Sequence, residues 1–565
     1  MARPACGRLP AWRLSAHALL LAVVLVLAVA VSEPGHAVSS DEGAALGQAQ
    51  LLRESGGWYY DYPLGWMVDA SSARPYIRAD VGSNGVAPYA KHPGYPVLLR
   101  AMGSGTSGAI AASVAGTVLA ATAAALLARR FSREAKLPIL ALWSTGLATP
   151  LLFDSGLMLA HTLAAAAFGF SVLGALAALG QGRGSGLALV GSMASASFAC
   201  FVRTESVLVV MTLAVVVAAG LRTRRSVVLG GAIALAGVLT VVVDRLAAGA
   251  IVGTAEVTPP NTLTYGLPGR WNGFYTTWLS STYGIRTFTG TLIWSALAAV
   301  ACAAVLLRRG SIRPGIYAAV TLAGSFAYVA WAFARPAGLV PGLLVTIPFL
   351  FGLAWFIDGR AMNREWQLVV WVVGLGSLAI LATQYSIGGG VEWGGRYFAV
   401  LLAPTTAVVL SGAWSSFGRA VPAGTTRSAV VASAAIATLA VVAVGFIAMR
   451  DAHGKAAELS SAIEHASAHR WREPASQREV VVTTNRLLPQ LLVTDVDRYA
   501  WVAADQDDLL GFLEQLTARG MESFVLVAPL TSDLADDLEA DAWDIHLQRT
   551  ISMYDVAVIE RRVHQ

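Results

Sequence analysis

Charge is what this sequence lacks. Of its 565 residues only 13% are Asp, Glu, Lys or Arg, while 56% are hydrophobic and the mean hydropathy is +0.60. Soluble domains carry about a quarter charged residues, so a chain this poor in charge is not built around one aqueous core. Cysteine is scarce too. Cys6, Cys200 and Cys302 lie in the N-terminal leader or in apolar runs, without pairing or metal-ligand spacing, and this excludes a disulfide framework. The polar C-terminal part has no Gly-rich phosphate loop and no nucleophile motif.

The charge that is present is unevenly placed. Of 40 Lys and Arg and 35 Asp and Glu, residues 451–565 hold 10 and 20, a net of −10. The remainder holds 30 and 15, a net of +15. Basic loops on the cytoplasmic side of a membrane produce such a balance, so no nucleic-acid partner is expected.

What is there instead is a series of apolar runs. A helix crossing the bilayer core takes about 20 such residues. The sequence predicts thirteen spans, at 16–32, 106–128, 137–153, 158–180, 185–202, 206–221, 227–247, 290–307, 315–334, 341–357, 366–385, 397–415 and 428–449. The first follows Arg3, Arg8 and Arg13, a pattern shared with secretory leaders, and His36-Ala-Val-Ser39 offers small residues for cleavage. An uncleaved span is preferred, because the residues just beyond it carry candidate chemistry.

Orientation follows from Lys and Arg in the short loops. With residues 1–15 inside and the spans alternating, the cytoplasmic loops are Arg129–Lys136, Arg183, Arg222–Arg225, Arg308–Arg313, Arg360–Arg364 and Arg419–Arg427, all basic. The long segments 33–105 and 248–289 then share the outer face with the tail, 450–565. In the tail, a helix over Ala456–His469, strands at 479–483, 524–528 and 555–560, and a helix over Asp507–Arg519 suggest a small α/β domain. Asp533, Asp536, Asp537, Glu539 and Asp541 read as a solvated helix face. The expected architecture is thus an α-helical polytopic membrane domain over 16–449, with a small extracytoplasmic α/β domain. Its expected place is the bacterial plasma membrane, with the N-terminus cytoplasmic.

Candidate chemistry clusters on the outer face. Asp41-Glu42 follow the first span and open a helix over Ala44–Glu54. Paired carboxylates at a membrane exit are either used in chemistry or serve the helix N-terminus, with Ser40 or Asp41 as cap. Lys91-His92-Pro93-Gly94-Tyr95-Pro96 lead into the second span, a stiff segment whose two cations could meet an anionic headgroup. The aromatics of this loop (Trp58, Tyr59, Tyr60, Tyr62, Trp66, Tyr76) suit an interfacial belt or sugar stacking. Asp154 lies in a very short connection with His161 one turn into the next span, and either caps that span or acts. Arg203-Thr204-Glu205 is either a structural ion pair or a guanidinium placed for phosphate. Glu392-Trp393-Gly394-Gly395-Arg396-Tyr397 enters the twelfth span, with Arg396 either snorkelling or binding.

In this order the elements resemble the GT-C superfamily of glycosyltransferases, multi-span enzymes using polyprenyl-phosphate-linked sugars and related to protein mannosyltransferases and lipid A aminoarabinose transferases. Asp41-Glu42 match the family's first-loop acid pair. His92-Pro93-Gly94-Tyr95-Pro96 is similar to its His-Pro-Pro element, with Gly94 for a proline. Phe153-Asp154-Ser155 and Ala160-His161-Thr162 are similar to an aromatic-Ser and Glu-His-Thr pair, with Ala160 for the acid. Arg203-Thr204-Glu205 matches an Arg-x-Glu element, and residues 392–397 a Gln-Trp-Gly-Pro-Arg-Tyr element, with Gly395 for the proline.

The resemblance implies a sugar moved from a polyprenyl-phosphate donor to an envelope glycan, lipid or protein, with inversion at the anomeric carbon. Asp41 would be the base and Glu42 would position it or bind acceptor. Lys91, His92, Arg203 and Arg396 would face the donor phosphate, and Asp154, His161, Glu205, Glu392, Trp393 and Tyr397 would contact substrate. Some relatives use a divalent metal, for which Asp41 and Asp154 would be the ligands. The loop 248–289 would line an acceptor groove or lid. The rivals are a lipid-linked sugar transporter or flippase, and an inactive envelope-assembly scaffold. No internal repeat of the transporter kind is visible.

Overall fold

Apolar helices dominate the computed structural model. It describes all residues except 1–9, 59, 62–84, 87–92, 181, 183, 222, 253–342, 355, 358, 360–361, 384–394, 421–424, 468–471, 474–477, 486, 493–497, 505, 552–553 and 563–565. Among the described residues, eight helices are long and apolar enough to cross a membrane, and Thr204–Gly220 is a shorter apolar one. The protein is a multi-pass membrane protein. The expected spans 290–307 and 315–334 and nearly all of the loop 248–289 lie outside the described residues.

By packing, the chain divides into two compact units, one of Met1–Ser32, Ile110–Asp244 and Thr258–Met449, the other of Glu33–Ala109, Arg245–Val257 and Arg450–Gln565.

The first unit is a bundle of the spans. His161–Leu179 packs on Ser185–Val202, Arg364–Thr383 on Val207–Leu221, and Leu402–Ala420 on Lys136–Leu147. Small residues let these helices approach closely, which is how helices associate in lipid. A Cβ on Gly169 would lie 2.8 Å from Ala123 Cβ, and one on Gly445 would lie 2.1 Å from the Phe153 ring. Basic loop residues cap helix ends, where cations favour the dipole. Arg225 donates to the Ala178 carbonyl at 2.8 Å and Arg364 to that of Gly220 at 2.5 Å. Arg130 grips Glu365 with both Nε and Nη2, at 2.8 and 2.6 Å.

Among the described residues, some expected spans are broken or entered through short turns. The run 137–153 forms Lys136–Leu147 and then a short turn, Leu151–Asp154, because Pro150 offers no N–H to continue a helix. A 3-10 turn, Thr204–Ser206, precedes Val207–Leu221. Another, Arg396–Leu401, precedes Leu402–Ala420. The last span and the expected tail helix are one helix, Thr425–Ser467.

In the second unit the segment Glu33–Ala109 and the tail belong together. A ribbon pairs β1 (Tyr60–Asp61) with β2 (Gly85–Val86). The tail sheet contains β3 (Arg472–Glu473), β4 (Arg478–Thr483), β5 (Tyr499–Ala503), β6 (Ser523–Ala528), β7 (Trp543–Ile551) and β8 (Tyr554–Arg561). β4 pairs in parallel with β5 on one side and β6 on the other, β3 meets the start of β4, and β6, β8 and β7 follow antiparallel. Both faces are covered, so the central strands read as apolar runs. Val480, Val482, Phe524 and Leu526 pack under Leu509–Ala518 and Ser532–Ala540. Val481, Trp501, Val525 and Val558 pack against Leu459 and Ile463 at the end of the long helix. The acids of Ser532–Ala540 point outward: Asp533, Asp536, Asp537 and Glu539 are exposed.

Candidate functional site

The second unit holds the acid pair. The helix Ser40–Glu54 is capped by Ser39, not by Ser40 or Asp41, and the cap is reciprocal. Ser39 Oγ accepts from Glu42 N at 3.3 Å, while Glu42 Oε2 accepts from the backbone N–H groups of Val38 and Ser39, both at 2.8 Å. The spacing Ser39-x-x-Glu42 sets this choice, because a Glu at the third helical position answers a serine three residues before it. Glu42 is fully buried and fixes the entry of the chain into the helix. Asp41, next to it in the first turn, is half-buried and stands at the positive end of the helix dipole.

The acid-bearing helix is held from several directions within its unit. It packs on Gly94–Ala101 and on the short tail helix Leu488–Leu491. Ser104 Oγ donates to the Ala49 carbonyl at 3.1 Å and Arg53 Nη1 to that of Gly103 at 3.0 Å. Just before the helix, His453 Nδ1 donates to the His36 carbonyl at 2.9 Å.

The first unit holds two further groups. In the first, Arg203 and Glu205 pair at 3.7 Å, and the Arg203 guanidinium lies over the Tyr397 ring, 5.6 Å from its centre. Arg396 lies 4.9 Å from the same ring centre, and its Nη2 donates to the Tyr397 hydroxyl at 3.0 Å. Two guanidiniums from distant parts of the chain thus converge on one aromatic ring, a contact that favours cations. Gly395 starts the turn carrying Arg396 with φ 73°. Proline, fixed near −65°, cannot adopt that angle, so the departure at Gly395 from the family element has a conformational reason. Asp244 joins this group: Thr204 Oγ1 donates to its Oδ2 at 3.3 Å. None of the sequence motifs includes Asp244. Its signal is an acid, 3% exposed, inside an apolar helix.

In the second group, Asp154 and His161 meet. His161 Nδ1 lies 3.6 Å from Asp154 Oδ2, and the residues are 4% and 1% exposed respectively. Asp154 does not cap the following span. It ends the turn Leu151–Asp154, and His161–Leu179 begins without a side-chain cap. Ser113 Oγ secures the intervening chain by donating to the Leu157 carbonyl at 2.6 Å.

Lys91, His92, Glu392 and Trp393 lie outside the described residues. Among the described residues no group of three or more His, Cys, Asp and Glu could hold a metal ion. Asp154 with His161 falls short of the six or more oxygen ligands that a cation such as calcium gathers.

No family model matches the chain, and no curated protein matches it. Among solved structures it is similar to ArnT from Cupriavidus metallidurans bound to undecaprenyl phosphate. The identity is 17% and the TM-score 0.43, over 96% of this chain and 97% of that one. It is also similar to the archaeal oligosaccharyltransferase AglB from Archaeoglobus fulgidus in complex with an inhibitory peptide and a dolichol-phosphate. There the identity is 11% and the TM-score 0.39, over 90% of this chain and 69% of that one. Likeness at this level assigns no residue a role.

Proposed function

We propose that the protein transfers a sugar from a polyprenyl-phosphate donor to an envelope glycan, lipid or protein on the outer face of the membrane. The acceptor hydroxyl or amine gives its proton to Asp41 as its heteroatom bonds to the anomeric carbon. The bond from that carbon to the phosphate oxygen breaks, and polyprenyl phosphate leaves with the electron pair. Attack opposite the leaving group inverts the anomeric centre.

The convergence of Arg203 and Arg396 on Tyr397 carries this reading. A planar guanidinium presents paired donors to phosphate oxygens. Two such cations, oriented by one ring and by Glu205, suit the charge that grows on a departing phosphate, and preorganised donors lower that barrier. Lys91 and His92 are assigned to the same phosphate, and Asp154, His161, Glu392 and Trp393 to substrate contact. Glu42 keeps the turn bearing Asp41 in place rather than exchanging protons, since its carboxylate is engaged with two backbone amides. No step is assigned to a metal.

The test supplies membranes containing the protein with undecaprenyl-phosphate-linked hexoses and pentoses. A positioned general base contributes about 10²–10⁴-fold. Asp41→Asn is therefore expected to lower transfer by at least about a hundredfold with donor binding retained. Undiminished transfer by Asp41→Asn removes the assignment of the base.

A further inference from the structure

The tail could be a separate module that merely follows the membrane domain. The contacts within the second unit argue otherwise. In its sheet, β4 lies between two parallel partners, β5 and β6, reached on opposite sides. In α/β sheets the crevice outside the carboxyl ends of strands at such a switch point is where ligands bind. Here the segment leaving the carboxyl end of β4 forms the helix Leu488–Leu491, and that helix packs on Ser40–Glu54. The end of the tail where a ligand would be sought is where the acid-bearing helix is seated.

The seam is a backbone contact at one glycine. A Cβ built on Gly43 would stand 1.5 Å from the Gln490 carbonyl oxygen and 2.5 Å from its carbon. Neither atom can swing aside as a side-chain end could. Gly43 lies two residues after Asp41, in the same turn. A methyl there would push the turn away by roughly 2 Å to reach ordinary contact. A second tie lies just ahead of the helix, where buried His453 holds the His36 carbonyl at 2.9 Å.

We propose that the C-terminal domain is the positioning element of the transferase: through Gln490 against Gly43, and His453 on the His36 carbonyl, it sets where Asp41 stands. The inference rests on the proposed function. It makes Gly43 and His453 positioning residues, and the tail part of the catalytic machinery.

The experiment uses the full chain in lipid nanodiscs, undecaprenyl-phosphate-linked hexoses and pentoses as donors, and a cell-envelope extract as acceptor. A misplacement of about 1 Å can cost a hundredfold in rate. Gly43→Ala is therefore expected to lower kcat about a hundredfold and leave the donor KM within about twofold. Alanine favours helix over glycine, so loss of the helix itself is not the cause. Amide exchange should rise in 40–54 and 487–492 and stay unchanged in the spans. His453→Ala, a milder change should Gly43→Ala fail to fold, is expected to lower kcat several-fold at constant donor KM. His453→Asn, which still presents an N–H, is expected to restore it.

Gly43→Ala within twofold of wild type, with exchange in 40–54 unchanged, overturns the inference. So do His453→Ala and His453→Asn that behave alike. Full activity of Asp41→Asn is a different failure: it removes the functional reading, while the exchange data still report on the seam.

Discussion

Single side chains decide whether the paired acids are chemistry or architecture, and here the two neighbours divide the work. Glu42 is fully buried and bonded to two backbone amides, the work of a cap. Glu42→Gln keeps an acceptor oxygen at the same place and is expected to retain most transfer activity. Glu42→Ala keeps the Ser39 cap on the backbone N–H of residue 42 but leaves the Val38 and Ser39 N–H groups without their acceptor, at about 1 kcal/mol of stability, and is expected to lower both activity and melting temperature. A Glu42→Gln variant as inactive as Asp41→Asn would show that Glu42 exchanges protons. At the proposed donor-phosphate group, Arg396→Lys keeps charge but loses the planar fork that also reaches the Tyr397 hydroxyl. Removing one preorganised donor costs about 10²–10³ in kcat. Arg396→Lys is expected to lose activity within that range and Arg396→Ala to lose at least as much, in steady-state rates at saturating donor.

Elements show what the sequence makes legible. Runs such as 185–202 and 366–385 announce themselves because composition and length alone define a span. The described helices Ser185–Val202 and Arg364–Thr383 match them within two residues. Interruptions are harder to read. Pro150 marks its break openly, whereas the 3-10 turns at Thr204–Ser206 and Arg396–Leu401 depend on how neighbouring helices pack. In the tail, β4, β6 and β8 are visible as apolar runs. The strand β5, Tyr-Ala-Trp-Val-Ala, is short and buried throughout, so it does not alternate. β7 is mostly exposed and polar, and its pairing with β8 rather than its own pattern makes it a strand. The site divides in the same way. Asp154 with His161 is local in sequence. The meeting of Arg203 with Tyr397, and the place of Asp244, arise only from folding. The core of the tail gives a test at this scale. Trp543 is 1% exposed, packs edge-on against Phe524 at 5.2 Å and lies beneath Arg561 at 5.7 Å. Trp543→Ala is expected to cost about 3–5 kcal/mol, read as early protease cleavage of residues 450–565.

For the whole molecule, the alternation of basic loops in the sequence leads us to expect both long segments and the tail on one face, where a lipid-linked donor would be used. What separates a transferase from the chief rival is the fate of the donor. Both kinds of protein bind a polyprenyl phosphosugar, but a transporter returns its cargo intact while a transferase breaks the bond between sugar and phosphate. The most direct measurement follows the donor lipid itself. Purified protein in nanodiscs is mixed with undecaprenyl-phosphate-linked sugars and envelope extract, and free undecaprenyl phosphate is quantified by mass spectrometry against glycosylated product. Release of undecaprenyl phosphate in equal amount to the product is expected, with both suppressed by Asp41→Asn. Donor that stays intact while it is moved across sealed vesicles would contradict it.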